Sequence, residues 1–182
     1  MIARDAKSTT KCPKRPIAKP NLTANAAKTT AALKAVIERH WAGDPTKAPF
    51  LKAMEGWNRP IPKGFLRGFV DLLFRHDGYC YVVDWKSNVI NGAASGFTAD
   101  GIAGEMAEHG YFFQYLLYAT VLHRFLKETM GAGYSWERNF GGIRYYFLRG
   151  VATDCPAAVF ADRPGAAMLD ELAAELGMEE RA

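Results

Sequence analysis

The sequence has few cysteines and no long apolar run, and both absences exclude classes of protein. Cys12, Cys80 and Cys155 are odd in number and far apart, which fits neither a disulfide framework nor the paired spacing of zinc or iron–sulfur ligands. No segment approaches the roughly eighteen consecutive apolar residues of a membrane span. The basic start lacks the apolar region of a secretory signal. We therefore expect free thiols, no membrane association and a cytoplasmic location.

Internal repeats are also absent, as is the GxxxxGK[ST] phosphate loop of many nucleotide-binding proteins. A chain of 182 residues of which 49% are hydrophobic is long enough for one core of ordinary size and too short for two. The net charge of +4 would help a surface approach phosphates, but many soluble proteins are as basic. We therefore expect one core, and charge alone assigns no function.

The first third of the chain divides into an arm, a helix and a loop. Residues 1–22 carry lysines among prolines with almost nothing apolar to bury, which predicts a disordered basic arm. Residues 23–63 follow as an N-terminal helix and loop whose relation to the core stays open. Within them, helix formers and apolar residues at helical spacing predict a helix from Ala24 to Trp41. Three prolines in residues 46–63 predict a loop with at most one short turn.

Residues 64–178 contain the clearest pattern and form the third predicted unit. FLRGFVDLLFR, from position 65 to 75, and YCYVVDWKS, from position 79 to 87, are rich in β-branched and aromatic residues. Asp77-Gly78 between them is typical of a tight two-residue turn. The two segments are therefore expected to pair as an antiparallel hairpin.

The rest of this unit alternates between helical and strand patterns. A long helical stretch is predicted from Thr98, as N-cap, to Met130, with an interruption at Gly110 left open. A third strand is predicted over residues 142–149, and a short final helix over residues 165–176, with Pro164 at its first position. This order of helices and strands indicates an α/β or α+β fold.

The hairpin register predicts a carboxylate pair. If Asp77 and Gly78 are the central turn residues, then Asp71 lies opposite Asp84, and Lys86 lies on the same face as Asp84. Like charges opposite each other destabilise a sheet, whereas a bound divalent cation would reverse that penalty. A surface cluster neutralised by Lys86 explains the geometry about equally well, so the wider sequence context has to decide.

That context resembles a known family. GFLRGFVDLLFRHDGYCYVVDWKSN, AEHGYFFQYLLYATVLHRFL and NFGGIRYYFLRGV occur in this order, and together they resemble the C-terminal nuclease domain of the RecB-type beta subunit of exodeoxyribonuclease V, a member of the PD-(D/E)xK superfamily. The resemblance implies a restriction-endonuclease-like α/β core, with a mixed sheet, an antiparallel hairpin and flanking helices. It also implies a nuclease that hydrolyses DNA phosphodiester bonds in double-strand break repair and recombination.

The resemblance further implies the roles of individual residues. Asp71 and Asp84 match the family's Mg²⁺ ligands, and Lys86 matches the family lysine that acts on the attacking water or stabilises developing negative charge. Gln114 and Tyr118 match the QxxxY motif, which lies near the metal and contacts DNA. The partners implied are DNA, a helicase portion, and the gamma and alpha subunits of exodeoxyribonuclease V.

The sequence also departs from the family pattern. The family's upstream GxxxH histidine and a further glutamate are not recognisable, although Glu38 and His40 at the end of the first predicted helix are possible substitutes. No phosphate loop of a helicase is present. The alternative to an active nuclease is therefore a truncated, catalytically impaired remnant that binds DNA or partner subunits.

Overall fold

The structure is a computed structural model that describes residues 29–58, 69–90, 96–151 and 155–178. None of the helices in these residues is long and apolar enough to cross a membrane. The helices are α1 (Thr30–Trp41), α2 (Ala48–Ala53), α3 (Ala99–Glu108), α4 (Tyr111–Met130), α5 (Trp136–Asn139), α6 (Leu148–Val151) and α7 (Ala166–Glu175), and the strands are β1 (Leu72–His76), β2 (Tyr79–Lys86), β3 (Phe140–Phe147) and β4 (Val159–Asp162).

The four strands form one mixed sheet in the order β1-β2-β3-β4. β1 and β2 are antiparallel, β2 and β3 are parallel, and β3 and β4 are antiparallel. The parallel pairing of β2 with β3 requires a long crossover, which α3 and α4 provide. This architecture confirms the predicted α/β fold with a mixed sheet.

The hairpin between β1 and β2 has the predicted register. Leu72 pairs with Val83 and His76 with Tyr79, so the turn has two central residues, as the prediction required. Asp77 has φ 48° and Gly78 has φ 88°, the positive pair of values that a type I′ turn needs. The Asp-Gly dipeptide therefore sets which side chains of β2 lie beside those of β1.

The long helical stretch is divided into two helices. Thr98 caps α3, because its Oγ1 accepts a hydrogen bond from the backbone N–H of Gly101 at 3.0 Å. Gly110 adopts a left-handed conformation with φ 67°, which ends α3 and allows α4 to start in a new direction. The interruption that the sequence left open at Gly110 is therefore present.

Several predicted elements need correction. α2 takes up residues 48–53 of the predicted loop, whose residues 59–63 lie outside the described part of the chain. It forms because Phe50 is buried and stacks on Phe112 at a centroid distance of 5.5 Å, and Pro49 stands early in the helix, where proline is tolerated. β1 runs from Leu72 to His76 and leaves out residues 69–71 of the predicted strand, whose residues 65–68 lie outside the described part of the chain. The short strand β4 was not predicted, since four residues are too few to give a reliable pattern. The final helix starts after Gly165, so Pro164 is not its first residue.

The first helix packs into the same core as the sheet. α1 buries four apolar residues, Leu33, Val36, Ile37 and Trp41. Its polar face contacts α7, where the Glu171 carboxylate forms an ion pair with Arg39. Oε1 of Glu171 also lies 3.0 Å from Nε2 of His40. The relation of this helix to the core, which the sequence left open, is therefore direct packing. The predicted arm at residues 1–22 lies outside the described residues, as do residues 24–28 of the predicted helix.

Candidate active site

The site lies on the buried face of β2. Val82, Asp84 and Lys86 alternate onto this face with 2%, 4% and 9% exposure, whereas Trp85 points to the opposite face and is 43% exposed. Alternation along a strand produces this separation directly. The prediction that Asp84 and Lys86 share one face is confirmed.

Asp84 and Lys86 form a buried ion pair with an incomplete hydrogen-bond arrangement. Oδ2 of Asp84 lies 2.7 Å from Nζ of Lys86. No hydrogen bond of regular geometry reaches this buried oxygen from the described residues, and Lys86 neutralises it as an ion pair. Burial raises the pKa of Asp84, and the nearby charge of Asp71 adds to the increase, while Lys86 opposes both effects. Such an oxygen is costly unless another positive partner completes its surroundings.

Asp71 lies immediately before β1, at the same end of the hairpin as Asp84. The ladder starts one residue later, at Leu72 opposite Val83, so Asp71 itself has left regular strand pairing. Its Oδ2 accepts a hydrogen bond from the backbone N–H of Trp85 at 3.0 Å. The structure thus brings the two aspartates close enough to interact electrostatically, with the Asp71 carboxylate fixed by the neighbouring strand.

Gln114 and Tyr118 on α4 complete the polar cluster. Lys86 Nζ donates to Oε1 of Gln114 at 2.9 Å, and Nε2 of Gln114 donates to the Tyr118 hydroxyl at 3.1 Å. That hydroxyl donates in turn to the backbone carbonyl of Phe69 at 2.8 Å. The five residues singled out in the sequence, Asp71, Asp84, Lys86, Gln114 and Tyr118, therefore form one connected group at the β1–β2–α4 junction.

Two further tyrosines belong to this group. The hydroxyl of Tyr145, on β3, donates to Oε1 of Gln114 at 3.0 Å. The ring of Tyr111 lies over the Lys86 ammonium, with Nζ 3.7 Å from its centroid. Sequence reasoning missed both residues, because their contacts depend on the tertiary fold. Tyr145 is the partner of Asp84 in the parallel ladder, and Tyr111 stands three positions before Gln114, on the same helical face.

The carboxylate pair suits a hard divalent cation. Two carboxylates, one of them buried beside Lys86, provide the oxygen ligands that Mg²⁺ prefers, with water and substrate phosphate completing its shell. Nowhere in the described part of the chain do three or more His, Cys, Asp or Glu side chains form a metal-binding group. The residues present therefore fit a site with two protein ligands.

The other candidate ligands make contacts elsewhere. Glu38 lies 3.5 Å from Lys34 on the same helix, and His40 contacts Glu171 on α7. The observed partners of Glu38 and His40 therefore give no support to their role as substitutes for the family's upstream ligands.

Comparison with known proteins identifies the class. Residues 5–177 match the PD-(D/E)XK nuclease superfamily, so the chain belongs to this superfamily. Its similarity to individual proteins points to one type of subunit. It is 42% identical over 122 residues to the RecBCD enzyme subunit RecB of Escherichia coli strain K12, 39% identical over 110 residues to that of Haemophilus influenzae, and 31% identical over 145 residues to that of Mycobacterium tuberculosis.

These alignments cover much of this chain and little of each relative. The E. coli match covers 65% of the chain and 10% of the relative, the H. influenzae match 60% and 9%, and the M. tuberculosis match 74% and 13%. The chain therefore spans about a tenth of the length of these relatives. The resemblance seen in the sequence is thus confirmed at the level of the family.

Proposed function

We propose that the chain is a Mg²⁺-dependent nuclease that hydrolyses phosphodiester bonds in DNA. The observation that carries the proposal is the buried Asp84 carboxylate, which has one oxygen without a well-directed donor and lies beside Lys86. Membership of the nuclease superfamily supports it. Burying a carboxylate in this way costs free energy, which a catalytic site justifies more readily than a structural one.

In this proposal Asp71 and Asp84 hold the Mg²⁺. A cation bound there supplies a water of lowered pKa and stabilises negative charge on the scissile phosphate. The two side chains differ in exposure and in what orients them. Asp84 is fixed in the sheet interior, whereas Asp71 is at the exposed edge and is oriented by the amide of Trp85. Substrate and cation would therefore approach from the Asp71 side.

Lys86 is proposed to act on the attacking water or on the charge that develops at the phosphate. An ammonium is a compact positive charge with three donors, and here it is held next to the carboxylate pair. Gln114 fixes it by accepting one of its hydrogen bonds, and Tyr118 orients Gln114. Gln114 and Tyr118 are therefore proposed as residues that support the site or contact DNA.

The biological setting is also a proposal. The relatives are named as RecB subunits of the RecBCD enzyme, so we propose that this chain serves double-strand break repair and recombination in the cytoplasm. Its partners would be DNA, a helicase portion, and the gamma and alpha subunits of exodeoxyribonuclease V. The similarity of the three sequence blocks to the nuclease domain of the beta subunit supports this assignment.

The test is cleavage of end-labelled single- and double-stranded linear DNA by the purified chain, with Mg²⁺ or with EDTA. Asp84→Ala is the test variant. Asp100→Ala, at the exposed start of α3, is the matched control because it removes the same charge away from the site. Cleavage that needs Mg²⁺, is lost in Asp84→Ala and persists in Asp100→Ala would support the proposal.

One result of this test would contradict the nuclease proposal. If the chain is folded by circular dichroism and cuts neither substrate at millimolar Mg²⁺, the nuclease proposal is wrong. DNA binding by such a protein would then favour the non-catalytic alternative. Binding through phosphate contacts must weaken as salt increases, so an affinity independent of salt would exclude phosphate contacts as its basis.

A further inference from the structure

The AEHGY segment at the α3–α4 junction has no role in the mechanism proposed above. Gly110 takes the left-handed conformation between the two helices. His109 and Tyr111, on either side of it, have stacked rings with centroids 5.4 Å apart and planes inclined by 25°. The turn thus places an aromatic side chain at the first position of α4, one helical turn before Gln114.

Tyr111 covers one side of the Lys86 ammonium. Nζ lies 3.7 Å from the centroid of the Tyr111 ring and 4.9 Å from that of Tyr145. An ammonium has three donors. Here one side of it faces Oδ2 of Asp84, one donor bonds to Gln114, and the face of Tyr111 takes up the remaining side. A desolvated cation over an aromatic face is a stabilising arrangement.

A polar chain of contacts holds Tyr111 itself in place. Its hydroxyl donates to Oδ1 of Asn88 at 3.3 Å, just beyond the end of β2. Nδ2 of Asn88 donates to Oε1 of Glu105 at 2.6 Å, and Nε2 of His109 lies 3.0 Å from the same oxygen. Tyr111 is therefore held by contacts from three places, namely the segment after β2, the end of α3 and the turn at Gly110.

We propose that Tyr111 is a positioning residue for Lys86. The inference rests on the proposed nuclease function and deepens it. The ion pair with Asp84 fixes only the distance of the ammonium from that carboxylate, 2.7 Å between Nζ and Oδ2, and leaves its direction open. The ring face of Tyr111, together with Gln114, holds the ammonium from the other side and fixes where it meets the reacting water or phosphate.

The kinetic test compares Tyr111→Leu with Tyr111→Phe in the intact chain. Leu removes the ring, and kcat is expected to fall roughly tenfold, the size of a lost desolvated cation–π contact, with KM for DNA nearly unchanged. Phe keeps the ring and loses only the hydroxyl, so it should restore most of kcat. Phe113→Leu is the matched control, because Phe113 contacts Trp57 edge-on at 5.1 Å and serves packing. An unchanged kcat in Tyr111→Leu would overturn the proposal.

A second readout does not depend on activity. With lysine labelled at Cε, the methylene resonance of Lys86 is assigned through Lys86→Met. It is expected upfield of those of other lysines, because Cε is bonded to Nζ, which lies over the Tyr111 ring. Tyr111→Leu should move this resonance downfield, and Tyr111→Phe should not. If the wild-type chain does not cleave DNA, the nuclease proposal fails, but the resonance still decides the position of Lys86. A Lys86 resonance that is the same in wild type and Tyr111→Leu would overturn the inference.

Discussion

The backbone N–H of Trp85 donates a 3.0 Å hydrogen bond to Oδ2 of Asp71, just beyond Leu72–Val83, the last regular pair of the β1–β2 ladder. If the ladder continued, this amide would meet the backbone carbonyl of Val70. The carboxylate takes the place of that carbonyl. Strand pairing therefore ends where the site begins, and the hydrogen bond that ends it also orients a proposed metal ligand.

Substitutions of Asp71 should separate its structural and chemical contributions. Asp71→Asn keeps an oxygen that can accept from the Trp85 amide but removes the charge, whereas Asp71→Ala removes both. Asp71→Ala is expected to lose about 1 kcal/mol of unfolding free energy, the net value of one hydrogen bond, and Asp71→Asn much less. Both should lose cleavage by about a hundredfold or more, because the charge binds the metal.

Urea unfolding without metal measures the first effect, and DNA cleavage with Mg²⁺ measures the second. A Mg²⁺-induced rise in melting temperature should also disappear in both variants, since ligand binding to the folded state stabilises it. Full cleavage activity in Asp71→Asn would show that its charge is not needed for metal binding.

Gln114 is expected to affect turnover more than DNA affinity. Its Oε1 accepts from both Lys86 and Tyr145, so Gln114→Leu should displace the ammonium. A small misplacement of a catalytic group can cost about a hundredfold in rate, and we expect kcat to fall between tenfold and a hundredfold. Tyr118→Phe leaves both of these bonds in place and should have a smaller effect. Steady-state kinetics that show a raised KM with unchanged kcat would instead identify Gln114 as a DNA contact.

Local signals in the sequence predicted the parts of the fold that local interactions determine. The Asp77-Gly78 turn set the hairpin register, and Gly110 marked the break between α3 and α4. α2 and β4 were missed because tertiary contacts stabilise them. Phe50 holds α2 by stacking on a residue far away in sequence, and β4 is a short strand that pairs with β3.

The residues of the site likewise divide into those that local sequence patterns place and those that tertiary contacts place. Alternation along β2 placed Asp84 and Lys86 together, and i, i+4 spacing placed Gln114 and Tyr118 on one face. The contact of Tyr111 with Lys86 joins α4 to β2 across a crossover of more than twenty residues, which no local pattern encodes. The hydrogen bond from Tyr145 to Gln114 similarly required the parallel pairing of β2 with β3.

Gly142 should tolerate no side chain. It has φ 90°, and a Cβ at this position would collide with the backbone carbonyl oxygen of Asp162 across the β3–β4 pair. Gly142→Ala is expected to lower the unfolding free energy by about 2 kcal/mol or more, from backbone strain and the displaced strand. Gly104→Ala in α3 is the control, because open space surrounds that position, and it should stabilise by about 0.5–1 kcal/mol. Thermal unfolding of both variants tests this prediction. Equal melting temperatures for Gly142→Ala and Gly104→Ala would contradict it.

His123 is expected to make stability decrease on mild acidification. It is 2% exposed, and its ring nitrogens contact the Tyr134 hydroxyl at 2.7 Å and Asp170 at 3.2 Å. Burial lowers the pKa of His123 from its ordinary 6.5, although Asp170 opposes the shift. The unfolded chain therefore binds this proton more readily than the folded chain. The stability that His123 contributes is fully present above pH 6.5, and it is lost as pH falls through the lowered pKa of the folded state.

The slope from this single group can reach about 1.4 kcal/mol per pH unit, and urea unfolding between pH 7.5 and pH 5 measures it. The lowered pKa values of Asp170 and Glu171 act below their ordinary 3.8 and 4.5, outside this range, and the raised pKa of Asp84 acts in the opposite direction. Comparison with His123→Leu isolates the histidine, because the variant is expected to show a shallower slope whatever its absolute stability. Equal slopes in the two proteins would show that His123 already binds its proton as readily when folded, through the Asp170 carboxylate, as it does when unfolded.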